Sequence, residues 1–125
     1  MSSVLKCGIV GYGYMGEIRK RVIGNSPGLE LIGVVETNAE LKKKIGNYPQ
    51  FDSYDALLDE DVDIIFVATP NCFSPEICIK SLQAGKHVFC EKPPGRHLQD
   101  IQEIYDAEKE CPDVKLMFGF NHRFH

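Results

Sequence analysis

The segment that most restricts the fold of this chain runs from Val4 to Glu36. It opens with an apolar run over 4–10, which is followed at 11–16 by G-Y-G-Y-M-G, the pattern G-x-G-x-x-G. Apolar residues at helical spacing come next, and a second apolar run over 29–35 ends at the acidic Glu36. A strand, a glycine turn, a helix, a strand and an acid in this order predict a βαβ unit of the kind that binds a dinucleotide.

The three glycines of this motif have different physical roles. Gly11 permits the tight turn out of the strand, Gly13 lets the backbone approach a pyrophosphate, and Gly16 lets the helix pack closely on the strand. A helix N-terminus carries unpaired N–H groups and partial positive charge, so the phosphates are expected there. Tyr14 and Met15 lie in the same loop, and we expect them to contact the cofactor together with the three glycines.

Glu36 follows Gly16 by 20 residues, which is near the spacing of an acid that accepts hydrogen bonds from the adenosine ribose. A carboxylate at this place repels a 2′-phosphate, and Thr37 and Asn38 supply no arginine to reverse the sign. NAD is therefore the expected cofactor in preference to NADP. The lysines at 42–44 are the nearby feature that argues the other way.

Composition excludes several classes of protein. With 125 residues, 43% of them hydrophobic, the chain is long enough for one domain with a buried core. A net charge of −4 without a basic tract argues against nucleic acid as a partner. The N-terminus does not resemble a signal peptide and no apolar run approaches the length of a membrane span, so we expect a cytoplasmic protein without membrane contact.

The five cysteines, counted over the whole chain, contain no C-x-x-C pair. Several of them lie inside apolar runs, which is typical of buried and reduced thiols. We therefore expect neither a metal site nor a disulfide.

The rest of the chain alternates helices with strands, which predicts a parallel sheet covered by helices on both faces. In the first helix, Met15, Ile18 and Val22 form the predicted apolar side. Six strands are expected, of which the third, near 50–51, has the weakest signal. The prediction is a single α/β domain over 1–125, with a core over about 4–120 and a three-layer, doubly wound sheet of the Rossmann type. Further helices are predicted over 39–45, 54–58, 74–84 and 98–108, and further strands over 63–68, 87–90 and 114–119.

Polar and glycine-rich segments collect at the predicted carboxyl ends of the strands. Ligands of open parallel sheets bind outside those ends, where the strand order reverses. The loops at the opposite edge, such as 25–28 and 84–86, have the composition of plain turns. The site is therefore expected at the edge that carries 11–16, Glu36, Thr69-Pro70-Asn71, Glu91-Lys92-Pro93 and Asn121-His122-Arg123.

Four segments in the second half of the chain resemble the Gfo/Idh/MocA oxidoreductases, which include glucose–fructose oxidoreductase and inositol dehydrogenase. They are A-T-P-N at 68–71, A-G-K-H-V at 84–88, E-K-P at 91–93 and G-F-N-H-R-F at 119–124. The resemblance needs no insertion and covers essentially the whole chain. It implies a nicotinamide-dependent enzyme that acts by hydride transfer on a sugar, a cyclitol or a related polyol.

The resemblance also implies roles for single residues. Lys92 is expected near the nicotinamide and the substrate, where it assists catalysis through its charge or a hydrogen bond. Cofactor contacts are implied for Thr69, Pro70, Asn71, Glu91, Lys92, Pro93, Asn121 and Arg123.

The chain departs from the family pattern in two respects. Ser74 stands where members often have a histidine, and we expect it to be a helix cap without a catalytic role. Family members also continue into a substrate domain on a large open sheet, which carries the groups used for proton transfer and usually mediates oligomer contacts. This chain ends at His125. We therefore expect that the substrate domain is absent, that the chain alone does not turn over a substrate, and that a homo-oligomer belongs to the complete enzyme.

Two other functions share part of this pattern. A free-standing NAD(H)-binding or sensor module needs the glycine loop and Glu36, but has no chemical need for Glu91-Lys92-Pro93. A flavin or S-adenosylmethionine site shares the glycine turn and leaves Lys92 and Asn121 unexplained. The enzyme interpretation accounts for all of these residues.

Overall fold

A computed structural model describes residues 4–69, 74–91 and 98–119, except for the side chain of Leu98. Within this part of the chain, strands and helices alternate as the sequence predicts. The weak third strand is present. The elements are β1 (Leu5–Val10), α1 (Tyr14–Gly24), β2 (Leu29–Val35), α2 (Ala39–Lys42), β3 (Gln50–Phe51), α3 (Tyr54–Leu58), β4 (Ile64–Val67), α4 (Ser74–Gln83), β5 (His87–Glu91), α5 (Leu98–Glu110) and β6 (Leu116–Gly119).

The described strands form one sheet in the order β3-β2-β1-β4-β5-β6, and every neighbouring pair is parallel. The chain builds outward from β1 to β3 on one side, then returns to β4 beside β1 and builds outward to β6. The order therefore reverses between β1 and β4, which is the position where such sheets bind ligands.

Two hydrophobic clusters cover the two faces of the sheet, which confirms the three-layer prediction. Successive strand residues point to opposite faces, so that Val34 belongs to one cluster and Val35 to the other. One cluster receives side chains from α3, α4 and α5, among them Leu57, Leu82 and Ile104. The other receives Ile23 of α1 and residues near it, and we call this side the α1 face.

Some predicted boundaries shift for local reasons. The helix expected over 39–45 ends at Lys42, because the next amides bond three residues back and Gly46 then takes a positive φ of 84°. The strands expected over 63–68 and 114–119 are shortened to β4 and β6. The strand expected over 87–90 extends to Glu91, because this residue continues the ladder opposite Gly119.

The buried side of α1 differs from the prediction. Val22 is 44% exposed, whereas Gly16 and Ile23 are buried. The reason lies in the turn before the helix, since close contact between Gly16 and the backbone of Gly11 sets the rotation of α1 about its axis. Because Arg19 is three residues after Gly16 and four before Ile23, it lies on the side of α1 that packs on the sheet.

The last long helix, α5, packs one side into the hydrophobic cluster that it shares with α3 and α4. Ile104 and Ala107 of α5 are buried, while Tyr105 is 42% exposed and meets Phe118 edge to face.

None of the helices in the described residues is long and apolar enough to cross a bilayer. The same residues contain no group of three or more histidine, cysteine, aspartate or glutamate side chains placed to hold a metal ion.

Candidate functional site

A pocket of about 820 Å³ opens at the carboxyl ends of β1, β2 and β4, on both sides of the point where the strand order reverses. The sequence predicts a ligand at this edge, and a concave, partly apolar surface with a few polar groups is typical of small-molecule sites. Its described lining is Val10, Gly11, Gly13, Tyr14, Met15, Val35, Glu36, Thr37, Asn38, Leu41, Asp52, Ser53, Tyr54, Ala68, Thr69, Glu76 and Ile77.

Two of the motif glycines are required by the turn itself. Gly11 has a φ of +96°, and a Cβ there would lie 2.7 Å from the Ala68 carbonyl oxygen. A Cβ on Gly16 would lie 2.1 Å from the carbonyl oxygen of Gly11. Both distances are far below van der Waals contact. Gly11 and Gly16 therefore allow α1 to begin directly against the end of β1.

Gly13 is different, because the fold does not require it. It is the N-cap of α1 with φ −77° and ψ −157°, a conformation open to any residue. Apart from its two neighbours in the chain, no described residue has an atom within 4 Å of a Cβ built on it. Its surroundings belong to the pocket, and the first N–H groups of a helix have no partner inside the helix. An anionic group fits the space in front of Gly13.

Glu36 is held firmly at the end of β2. Its Oε1 accepts a hydrogen bond from the Tyr12 N–H at 2.6 Å, and its Oε2 accepts one from the Asn38 N–H at 2.8 Å. Each carboxylate oxygen keeps further acceptor capacity. The arrangement joins the glycine turn to the β2–α2 loop and presents a fixed anion beside the pocket.

A wall of the pocket comes from two residues that no sequence motif indicated, Tyr54 and Glu76. The Tyr54 hydroxyl donates to Glu76 Oε2, which connects the first turn of α3 to the first turn of α4. Burial, and then the hydrogen bond to Glu76, raise the pKa of Tyr54 to about 12. The sequence feature next to Tyr54 is Ser53, a residue typical of a helix cap, and its Oγ accepts a hydrogen bond from the Ala56 N–H at 3.2 Å. This feature predicts the start of a helix and nothing about the pocket. Nothing local indicates the contact with Glu76.

The end of β4 is tied to the start of α4. Ser74 is the first residue of α4 and is buried; its Oγ donates to the Thr69 carbonyl at 3.3 Å and lies 3.2 Å from Thr69 Oγ1. Thr69 lines the pocket. Ser74 thus contacts the strand end, in addition to the position at the helix start that the sequence predicts.

A second polar arrangement lies at the end of β5 on the α1 face. Arg19 Nε donates to Glu91 Oε2, and Arg19 Nη2 donates to Glu91 Oε1 at 3.3 Å. The guanidinium carbon lies 4.5 Å from the centre of the Phe89 ring. No sequence pattern indicated Arg19, although a charged residue between Gly16 and Ile23 becomes a signal once the buried side of α1 is known.

The structure brings together six of the predicted site residues at the pocket: Gly11, Gly13, Tyr14, Met15, Glu36 and Thr69. Gly16 lies behind the turn, and the Glu91 side chain is engaged by Arg19. The remaining predicted residues lie outside the described ranges: Pro70, Asn71, Lys92, Pro93, Asn121 and Arg123.

Comparison with known proteins identifies the relatives of this chain. A family model described as "Oxidoreductase family, NAD-binding Rossmann fold" matches residues 5–120. An uncharacterized oxidoreductase of Streptococcus pneumoniae is 39% identical over 118 residues, which cover 93% of this chain and 32% of that protein. The inositol 2-dehydrogenase of Salmonella paratyphi B is 30% identical over 127 residues, covering 96% of this chain and 38% of that protein.

Solved structures agree in fold. The structure of a putative NADPH-dependent oxidoreductase from Desulfitobacterium hafniense superposes with a TM-score of 0.87 at 26% identity, covering 95% of this chain and 35% of that one. The chain spans about a third of the length of the curated relatives it matches.

Proposed function

The chain belongs to the Gfo/Idh/MocA oxidoreductase family, and we propose that it is the cofactor-binding part of an NAD-dependent dehydrogenase of a sugar, cyclitol or related polyol. The observation that supports this most is the pocket in which the open space at Gly13 adjoins the fixed carboxylate of Glu36. The open space at Gly13 has no role in the fold, and Glu36 presents its carboxylate to the pocket in addition to joining two loops. A bound dinucleotide would use both features.

In this proposal the pyrophosphate lies against Gly13 and the first turn of α1. No lysine or arginine is found among the described residues that line the pocket, so backbone N–H groups and the helix terminus hold the phosphates. Tyr14, Met15, Thr69, Pro70 and Asn71 complete the contacts along the cofactor. The adenine packs on the apolar side chains of Leu41 and Ile77, beside the Tyr54–Glu76 wall.

Glu36 makes the site select NAD over NADP. Its carboxylate accepts hydrogen bonds from ribose hydroxyls, and these are worth about 1.5–3 kcal/mol, which is roughly 10- to 100-fold in affinity. Asp52 and Glu76 add negative charge to the lining, which also disfavours a 2′-phosphate. The positive charges of the lysines at 42–44 oppose this preference for NAD. Lys43 Nζ, however, is paired with Glu40 Oε2 at 3.4 Å.

The reactive end of the cofactor is assigned to the loops after β5 and β6. A bound nicotinamide exchanges a hydride with the substrate carbon. We propose that Lys92 assists this step through its charge or a hydrogen bond, and that Glu91, Pro93, Asn121 and Arg123 shape the surroundings. The name of the inositol 2-dehydrogenase relative supports a polyol as the substrate.

Oxidation of an alcohol also needs a base within hydrogen-bond reach of the hydroxyl and walls that orient the substrate carbon. We assign the base and most of the substrate pocket to the part of the relatives that this chain does not cover, and the same part to contacts in a homo-oligomer. The role of the described residues is to bind and orient the cofactor.

Titration calorimetry of the chain with NADH and NADPH tests cofactor choice. We expect NADH to bind at least 10-fold more tightly. Glu36→Gln should weaken NADH and reduce the difference between the two cofactors. Glu30→Gln, which changes an exposed carboxylate on β2 outside the pocket lining, is the matched control and should leave both affinities unchanged. Tighter binding of NADPH to the wild-type chain would contradict the selectivity.

An activity assay separates an incomplete enzyme from a complete one. The chain is mixed at high concentration with NAD and a panel of inositols, hexoses and uronic acid derivatives, and NADH formation is followed. No turnover is expected, because we assign the base to the part of the relatives that this chain does not cover. Turnover that disappears in Lys92→Ala would show that this chain carries the whole catalytic site.

A further inference from the structure

Arg19 and Glu91 form a two-point ion pair inside the fold, far from each other in sequence. Arg19 donates from Nε and from Nη2 to the two different oxygens of Glu91. The side chains are only 21% and 11% exposed. A guanidinium fork that meets both oxygens fixes the direction of the carboxylate as well as its distance.

Two neighbouring residues shape the space around this pair. The Phe89 ring lies under the guanidinium, with its centre 4.5 Å from Arg19 Cζ. Gly119 leaves room for both, because a Cβ there would lie 2.6 Å from Phe89 Cζ and 3.1 Å from Arg19 Nη2. Glu91 and Gly119 are opposite each other in the β5–β6 ladder. Three elements, α1, β5 and β6, therefore converge on Arg19.

The position of the pair along the chain gives it a functional consequence. Glu91 immediately precedes Lys92 in the chain, and Gly119 comes two residues before Asn121. Since successive Cα atoms are about 3.8 Å apart, the location and direction of Glu91 and Gly119 limit where the next residues begin. The described strands that precede the two segments assigned to the nicotinamide, β5 and β6, both end next to Arg19.

We propose that Arg19 is a positioning residue for the nicotinamide half of the site, an inference that rests on the proposed function. It acts through Glu91 and does not touch the reacting atoms. Removing both charges from water costs free energy that their attraction offsets only in part, so a buried pair is a poor source of stability. Its effect on this site is to hold Glu91, the last residue of β5, in one orientation.

The test compares two ligands that share the adenosine and pyrophosphate but differ at the other end. NADH carries the nicotinamide and ADP-ribose does not. In titrations of the 125-residue chain, Arg19→Met should weaken NADH by about 10-fold and change ADP-ribose by less than about 2-fold. The fluorescence of bound NADH, which reports the surroundings of the nicotinamide, should move toward that of free NADH.

Two further variants make the result specific. Arg19→Lys keeps the charge opposite Glu91 but loses the planar fork, so an intermediate loss of NADH affinity is expected. If Arg19→Met does not fold, Arg19→Lys is compared with the wild type in its place. Arg21→Met removes an exposed arginine from the same helix and should bind both ligands like the wild type.

Equal weakening of both ligands in the Arg19 variants, or no weakening of either, would overturn the inference, because Arg19 would then act on the whole fold or not at all. A wild-type chain that binds neither ligand would overturn the proposed function, and the inference would fall with it. A failure seen only in the Arg19 variants leaves the proposed function intact. The failure of the inference can therefore be told apart from the failure of the proposed function.

Discussion

The binding edge of the sheet has two ends that are built in different ways. The glycine-loop end comprises residues 11–16 and 36–38, and the Glu91 end comprises Arg19, Phe89, Glu91 and Gly119. At the glycine-loop end, the polar groups offered to a ligand are mostly backbone N–H groups and one carboxylate that backbone N–H groups hold. At the Glu91 end, a side chain holds another side chain 72 residues away.

This difference decides how each end responds to substitution. The glycine-loop end depends on the absence of side chains, because Gly11 and Gly16 leave space for the chain itself and Gly13 leaves space for a ligand. The Glu91 end depends on the fit of particular side chains in a shared space. Added volume should therefore give larger effects at the first end, and changed chemistry should matter more at the second.

Gly16→Ala should give the largest loss of stability. The added Cβ would lie 2.1 Å from the carbonyl oxygen of Gly11, a backbone atom that cannot swing aside as the end of a side chain can. We expect the free energy of unfolding to fall by about 3 kcal/mol, at the upper end of overpacking effects. Denaturant unfolding measures this. Gly24→Ala, in the same helix but with no neighbouring atom of the described residues within 4 Å of its Cβ, should be neutral or stabilising. Equal stability of the two variants would mean that the turn can rearrange.

Gly13→Val should separate binding from folding. Because the backbone conformation suits any residue and the Cβ position is open, the melting temperature should stay close to that of the wild type. NADH affinity should fall by about 100-fold, or about 2.8 kcal/mol, as the added methyl groups occupy the place of the pyrophosphate. Calorimetry and thermal unfolding give the two values, with Gly24→Val as the control. NADH affinity close to that of the wild type would mean that the glycine loop is a simple turn without a role in binding.

Gly119→Ala applies the same kind of change to the Glu91 end. Its Cβ would meet the edge of the Phe89 ring and the end of Arg19, which are side chains and can move. The expected destabilisation is therefore smaller, about 1–2 kcal/mol. Met117→Ala is the control on the same strand, since Met117 is 62% exposed. A loss as large as that of Gly16→Ala would show that the two ends are equally rigid and would break the comparison.

The Tyr54–Glu76 contact should give the smallest effect, visible only at high pH. The folded pKa of Tyr54, about 12, lies above the ordinary value of 10, so its contribution to stability is complete below about pH 10 and is lost as pH rises through about 12. The wild type should therefore lose stability faster than Tyr54→Phe across this interval. Denaturant unfolding at several pH values measures the difference, and Tyr105→Phe is the control.

An identical pH dependence in the wild type and Tyr54→Phe would contradict the assignment of the raised pKa to Tyr54. The Tyr54–Glu76 contact also narrows the contrast between the two ends of the binding edge. It joins side chains 22 positions apart, and it lies near the glycine-loop end. If Tyr54→Phe weakens NADH strongly, the glycine-loop end depends on distant side chains as well.

The sequence by itself determined the order of the elements, the three-layer α/β class and the glycine-loop end. The physical reason is that these features are set by neighbours in the chain. Apolar runs select strands, Gly11 permits the turn at φ +96°, and Glu36 is placed by the length of the βαβ unit. Even the two-residue β3 left a signal in its local composition.

The tertiary structure decided which side of α1 is buried, and with it the Glu91 end. Apolar spacing favoured Met15, Ile18 and Val22, but the contact of Gly16 with Gly11 rotates the helix so that Ile23 packs inward. That rotation places Arg19 over Phe89 and against Glu91. No local pattern encodes such a contact, because it depends on the distance between α1 and β5, which only the assembled sheet defines.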